Sequence, residues 1–136
     1  MSMNIIEEFQ LQIHQILKDN AELNKLVKHI YFSLPKDAAY PFICLNYDSI
    51  NKVMLHNIAR FNIRFEALLF IKGFNPKVSN EIIQALKNAL ISDQFKLNLS
   101  EVISIQNHDI EYQNASDFIT HKITVKFTIT LQGKIS

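Results

Sequence analysis

Glycine and cysteine are almost missing from this 136-residue chain, which has Gly73, Gly133 and the lone Cys44. Two isolated glycines cannot build a glycine-rich phosphate cradle, because that loop needs several positions free of a Cβ. A single cysteine excludes an internal disulfide framework and fits a reducing compartment. Long apolar runs are missing as well. The longest, Ala67 to Ile71, falls far short of the ~20 residues that cross a bilayer as a helix. Neither sign of charge dominates: 14 Lys and Arg face 13 Asp and Glu, a formal net charge of +1 with histidine neutral. That balance removes the electrostatic case for a specific nucleic-acid or anionic-membrane partner. Met1-Ser2-Met3-Asn4 leads straight into Ile5, Ile6, Glu7 and Glu8, without a basic leader or small-residue cleavage site. No export signal is expected, and the product is expected to be made in the cytoplasm.

What the chain does have is alternation. From Phe61 to Ile71 every odd residue is apolar (Phe61, Ile63, Phe65, Ala67, Leu69, Ile71), while Asn62, Arg64, Glu66 and Lys72 hold even positions. Ile123, Val125, Phe127, Ile129 and Leu131 repeat the pattern against Thr124, Lys126, Thr128 and Thr130. Successive strand side chains point to opposite sides, so each segment has one apolar and one largely wet face. This signals an antiparallel sheet covered on one side only. With 48% apolar and 20% charged residues, the composition is that of a folded globule. Its length suits a single domain, residues 1–136, that buries roughly two thirds of its unfolded surface.

The remaining elements follow from spacing and caps. Ile5, Phe9, Ile13, Ile16 and Leu17 form one helical stripe; Asp19-Asn20 interrupts it, and Leu23, Leu26 and Val27 continue as a short turn or helix. Ile30, Tyr31 and Phe32 suggest a brief strand, followed by a turn at Leu34-Pro35-Lys36-Asp37. Pro41 opens a strand through about Tyr47, with Ile43, Leu45 and Tyr47 on one face and Phe42 and Cys44 on the other. Asp48 to Asn57 is expected to be a polar loop. Asn75-Pro76 starts a helix, with a capping side chain before a proline at the first helical position; Val78, Ile82, Leu86, Ala89 and Leu90 are its inward stripe, and Ser92-Asp93 its end. A strand begins at Val102, Ile103 and Ile105, but apolar parity shifts to Ile110 and Tyr112, which requires a bulge or bend at Asn107-His108-Asp109. The last strand spans about Phe118 to Leu131. The expected fold is α+β: a mostly antiparallel sheet of about four to five strands with two helices packed on one face.

Reactive constellations do not emerge. His14, His29, His56, His108 and His121 are scattered without metal-ligand spacing, so no metal is expected. Cys44 in a strand is expected to be a small core hydrophobe. Glu7 and Glu8, in the first turn of a helix, suit the positive end of its dipole as solvated residues. Lys25, Lys28, His29 and Lys36 are diluted by Glu22 and Asp37 and suit a solvated face. No nucleophile, base and stabiliser can be assembled, so neither catalysis nor a cofactor is expected. Within Asp48–Asn57, Met54 and Leu55 admit two readings: they fold back onto the domain, or they contact a neighbouring protein.

The order of these features resembles one family, the tail-completion (tail-terminator, or head-to-tail joining) proteins of long-tailed phages, prophages and phage-derived gene transfer agents. The resemblance spans about Ile5 to Leu131. Its residues are the helix running into Asn20-Ala21-Glu22-Leu23-Asn24-Lys25-Leu26-Val27, then Ile30-Tyr31, then Tyr40-Pro41-Phe42-Ile43. The long strand from Arg60 to Ile71, the helix from Val78 to Leu90, and His121-Lys122-Ile123-Thr124-Val125-Lys126-Phe127-Thr128-Ile129 complete it. Lys28-His29 stands where the family often has a glycine. The resemblance implies a non-enzymatic subunit that caps the finished tail tube as a ring, usually of six copies, and offers a surface to the head–tail connector protein. It implies the tail tube protein and further copies of the chain as partners, and a place in the virion tail or neck once assembled. Candidate contact residues are Asn51, Lys52, Val53, Met54, Leu55 and His56, with Arg64, Glu66 and Lys126 on the wet face. The alternatives are a head-closure or tail-tube protein of similar fold, or a small cytosolic binding module, for instance for RNA, which would show aromatic residues on its wet sheet face.

Overall fold

A computed structural model describes residues 4–73, 75–91, 95–114, 117 and 119–134. The elements run α1 (Ile5–Asp19), α2 (Ala21–Leu26), β1 (His29–Tyr31), β2 (Phe42–Leu55), β3 (Ile58–Lys72), α3 (Pro76–Ala89), β4 (Glu101–Asn114) and β5 (Thr120–Lys134). The fold is α+β, with one sheet ordered β1-β2-β3-β5-β4. β1 runs parallel to β2, and the other three pairings are antiparallel.

Local chemistry sets the helix boundaries. Asn4, Asn20 and Asn75 each accept a hydrogen bond from a backbone N–H in the first turn of α1, α2 and α3, at Glu7, Leu23 and Val78 respectively. Pro76 follows the last cap, where its missing N–H costs nothing. The proposed end of this helix at Ser92-Asp93 lies outside the described residues, as does Phe118 at the start of the last strand; α3 closes at Leu90. The segment between α1 and β1, read as a turn or short helix, is the six-residue α2.

All three helices cover the same face. Phe9, Ile13, Leu17, Leu23, Ile82 and Leu86 join the odd residues of β3 and β5 in a single buried cluster. Phe65 sits at its centre, with ring centroids 5.2 Å from Phe127 and 6.5 Å from Phe9. The two alternating segments therefore bury the residues their period selected.

Two corrections concern β2. It does not stop near Tyr47, and Asp48–Asn57 is not a loop. β2 continues to Leu55 and pairs with β3 down to Leu55↔Ile58, leaving only His56 and Asn57 in the turn. His56 has φ 57°, the left-handed conformation that the first central residue of a tight primed hairpin turn adopts. Asp48 is an extra residue where the register shifts between Tyr47 and Ser49. That insertion moves the apolar set from Ile43, Leu45 and Tyr47 to Ile50 and Met54, so the alternation looks broken when read straight through. The bulge expected at Asn107-His108-Asp109 is present, with the β4 register shifting between Asn107 and Ile110; a second shift lies between Val102 and Ser104.

One connection is strapped down by Glu8, which the sequence suggested was merely solvated, and by Gln12. The Glu8 carboxylate accepts from the N–H groups of Asn98 and Leu99, both at 2.9 Å, and the Gln12 side chain accepts from Lys96 N–H at 2.6 Å. Phe95 stacks on Phe9 with centroids 5.7 Å apart. The segment leading into β4 is thereby pinned to α1.

Candidate assembly surface

The face opposite the helices carries two zones, and the far end of the β2–β3 hairpin adds a third that is exposed on both of its sides. At the β1 end, Phe42 and Phe70 stack at 4.8 Å, and Tyr31 and Tyr40 pack their rings against Phe42. Phe70 is therefore joined by rings from β1, β2 and the preceding segment. Those rings cover one another, and Phe42 is buried. Lys72 lies over Tyr40, 4.8 Å from its centroid.

The middle zone is charged. Because cross-strand partners share a face, the pairs Glu66↔Lys126 and Arg64↔Thr128 place four polar groups side by side at the sheet centre. Asp48 from the β2 bulge and His108-Asp109 from the β4 bulge rim the resulting groove of about 330 Å³. Lys126 Nζ meets Glu111 Oε1 at 2.9 Å, Asn46 Nδ2 donates to Glu66 Oε1 at 3.0 Å, and His108 Nε2 lies 2.6 Å from Thr128 Oγ1. The Glu111 hydrogen bond and charge, reinforced by Glu66 and Asp109, hold the Lys126 ammonium above its ordinary pKa. Lys126 is thus a fixed cation at neutral pH, not a proton carrier.

The third zone is the far end of the β2–β3 hairpin. Met54 and Leu55 are each 49% exposed, and Ile50 and Val53 are exposed with them. They do not fold back into the core. Lys52 extends over the Phe61 ring, 5.7 Å from its centroid.

The sequence-based candidates thus fall into two places. Arg64, Glu66 and Lys126 come together in the groove. Asn51, Lys52, Val53, Met54 and Leu55 line the outer strand, with His56 at its turn. Asp48, His108 and Asp109 were missed as groove residues, and Glu111 as the partner of Lys126. The parity break at 107–109 was the available signal for His108 and Asp109, because an extra residue re-aims its neighbours.

The chemistry of this surface is that of contact. Cys44 is buried, and burial pushes its thiol up. The Tyr47 hydroxyl is buried among apolar groups and is likewise pushed up. His14 stacks on Phe32 at 3.6 Å, away from the groove, and is held below its usual value first by burial and then by Lys18. Among the described residues, no three His, Cys, Asp or Glu side chains are grouped to hold a metal ion, and no helix is long and apolar enough to cross a membrane.

A layered α+β domain with one face of its sheet open defines the class. No family model matches the chain, and no curated protein matches it. Among solved structures it is similar to a chain in the virion of a native gene transfer agent particle, with TM-score 0.80 and 14% identity over 97% of this chain and 100% of that one. At that identity the likeness is one of fold.

Proposed function

We propose that this chain is a non-enzymatic structural subunit of a phage-like particle that caps the tail tube as a ring and joins the tail to the head connector. The observation that carries the reading is the likeness, over 97% of this chain and all of the other, to a fold used in a gene transfer agent virion, set beside a sheet whose charged face and outer strand are open to partners. Arg64, Glu66 and Lys126 are proposed to meet a neighbouring protein through the groove, and Asn51 to His56 through the hairpin. The subunit would be made in the cytoplasm and reside in the tail or neck of the particle. Its partners would be further copies of itself, six to a ring, the tail tube protein and the head–tail connector protein.

Deleting the gene and imaging the particles tests this role. The expected result is tails of uncontrolled length or tails unjoined to filled heads; normal-length tails on filled heads would overturn it. A tail-tube subunit of the same fold is the second reading, favoured by the length of the unpaired outer strand. It would give open cylinders from concentrated purified protein, whereas a terminator gives closed rings. An RNA-binding module is disfavoured because the rings on the open face are spent on one another; absence of oligonucleotide binding is the expected outcome.

A further inference from the structure

The two outer strands share features that nothing in the isolated chain uses. Among the described residues β1 covers β2 only at Phe42, Ile43 and Cys44, so the outer edge of β2 has no strand partner there from Leu45 to Leu55. β4 is the last strand on the other side. Three successive antiparallel pairings separate them, so β2 and β4 run in opposite directions. A rotation about an axis along the strands preserves direction. It therefore sets β4 of one copy antiparallel to β2 of the next, the geometry that continues a hydrogen-bonded ladder.

The edges also match in shape and charge. Asp48 is inserted beside Phe65 and Arg64, whose β5 partners are Phe127 and Thr128; the β4 insertion falls between the partners of Phe127 and Val125. Both edges therefore kink at nearly the same height, while β3 and β5 between them are regular. β4 kinks a second time at Ile103, between Val102 and Ser104, where β2 has no counterpart, so the shape match holds around the shared kink and not along the whole edge. Bulges keep edges from pairing indiscriminately, and a partner bent at the same level escapes that barrier. Between the kink and the hairpin end, Ser49–Leu55 carries one charge, Lys52, and Glu101–Asn107 carries one, Glu101. Both stretches expose apolar side chains, with Ile103 45% exposed beside β5 and Ile50 40% exposed beside β3.

Resting on the ring reading, we infer that the occupant of each edge is a second copy of this chain: β2 residues 45–55 of one subunit pair antiparallel with β4 of the next. The same-face rule brings Ser49, on the open face with Arg64, next to Gln106, on the open face with Thr128. Pairing β2 with β2 across a two-fold would instead close at a dimer and set Lys52 near Lys52.

Cross-linking the full chain tests this. In a Cys44→Ala background, Ser49→Cys and Gln106→Cys are introduced together and singly, and a short bismaleimide that tolerates a two-residue slip is applied to concentrated protein and to assembled particles. The double variant is expected to give a ladder of covalent multimers, and each single variant none. Dimers from Ser49→Cys alone, or no ladder from the double variant in either sample, would overturn the inference. Circular dichroism confirms that the variants fold. Failure is separable from failure of the terminator role: a ladder with normal particles in the deletion strain rejects the role and keeps the edge pairing, while defective tails without a ladder do the reverse.

Discussion

The two faces of the sheet teach different lessons although they alternate residue by residue along the same strands. On the covered face, Phe65 and Ile63 are almost fully buried and touch residues from distant parts of the chain. On the open face, one residue away from them, Arg64 is exposed and Glu66 half-buried, and Glu66 accepts a hydrogen bond from the exposed Asn46. Stability resides on the first face, and association is proposed to reside on the second. Exposed ion pairs such as Lys126–Glu111 contribute little to folding, because water screens them and both long side chains lose freedom in forming them. Their value lies in what they present to a partner.

Substitutions that strike one face should spare the property of the other. Phe65→Ala, which empties the space between Phe9 and Phe127, should cost about 3–5 kcal/mol in chemical denaturation. Gly133→Ala comes next. A Cβ there would lie 2.5 Å from the Leu99 carbonyl oxygen and 2.7 Å from Ile5 Cδ1, and because one neighbour is backbone the expected loss is about 1–3 kcal/mol. Asn75→Ala removes the α3 cap and should lower stability by about 1 kcal/mol, measured the same way.

His14 supplies a pH test within the covered side. Burial, and then Lys18, depress its pKa from 6.5, so the fold favours the neutral ring. That contribution is fully present above pH 6.5 and is lost as pH falls through the lower folded value. Stability should decline on the acid side of 6.5, and His14→Gln should flatten that limb of the curve. The smallest effect on folding is expected from Arg64→Ala, within about 0.5 kcal/mol of the parent. The same variant should reduce the yield of joined particles in complementation, and a normal yield would count against the open face as a contact surface.

Covered and open faces were not equally legible. Ile63, Phe65, Ile123 and Ile129 could be assigned from period alone, since burial on one side imposes an alternation that needs no knowledge of neighbours. The asparagine caps at positions 4, 20 and 75 act on backbone groups three residues away, and Asn75 was readable for that reason, whereas Asn20 was read only as an interruption of the first helix. Residues 48–57 were misread because the Asp48 bulge reverses parity and the absence of an outer neighbour leaves both sides wet, so a strand there has the composition of a loop. Glu8 was misread because its partners, Asn98 and Leu99, lie ninety residues along the chain.

Alternation, helix stripes and caps are properties of a few consecutive residues, and they were enough to define an α+β chain with one apolar side to its sheet. Strand order, the groove shared by Asp48, Arg64, Lys126 and Asp109, and the two free edges depend on which distant segments pair. Hydrogen bonding between strands is indifferent to most side chains, so many orders satisfy the same local pattern. Packing of the complete chain selects one of them.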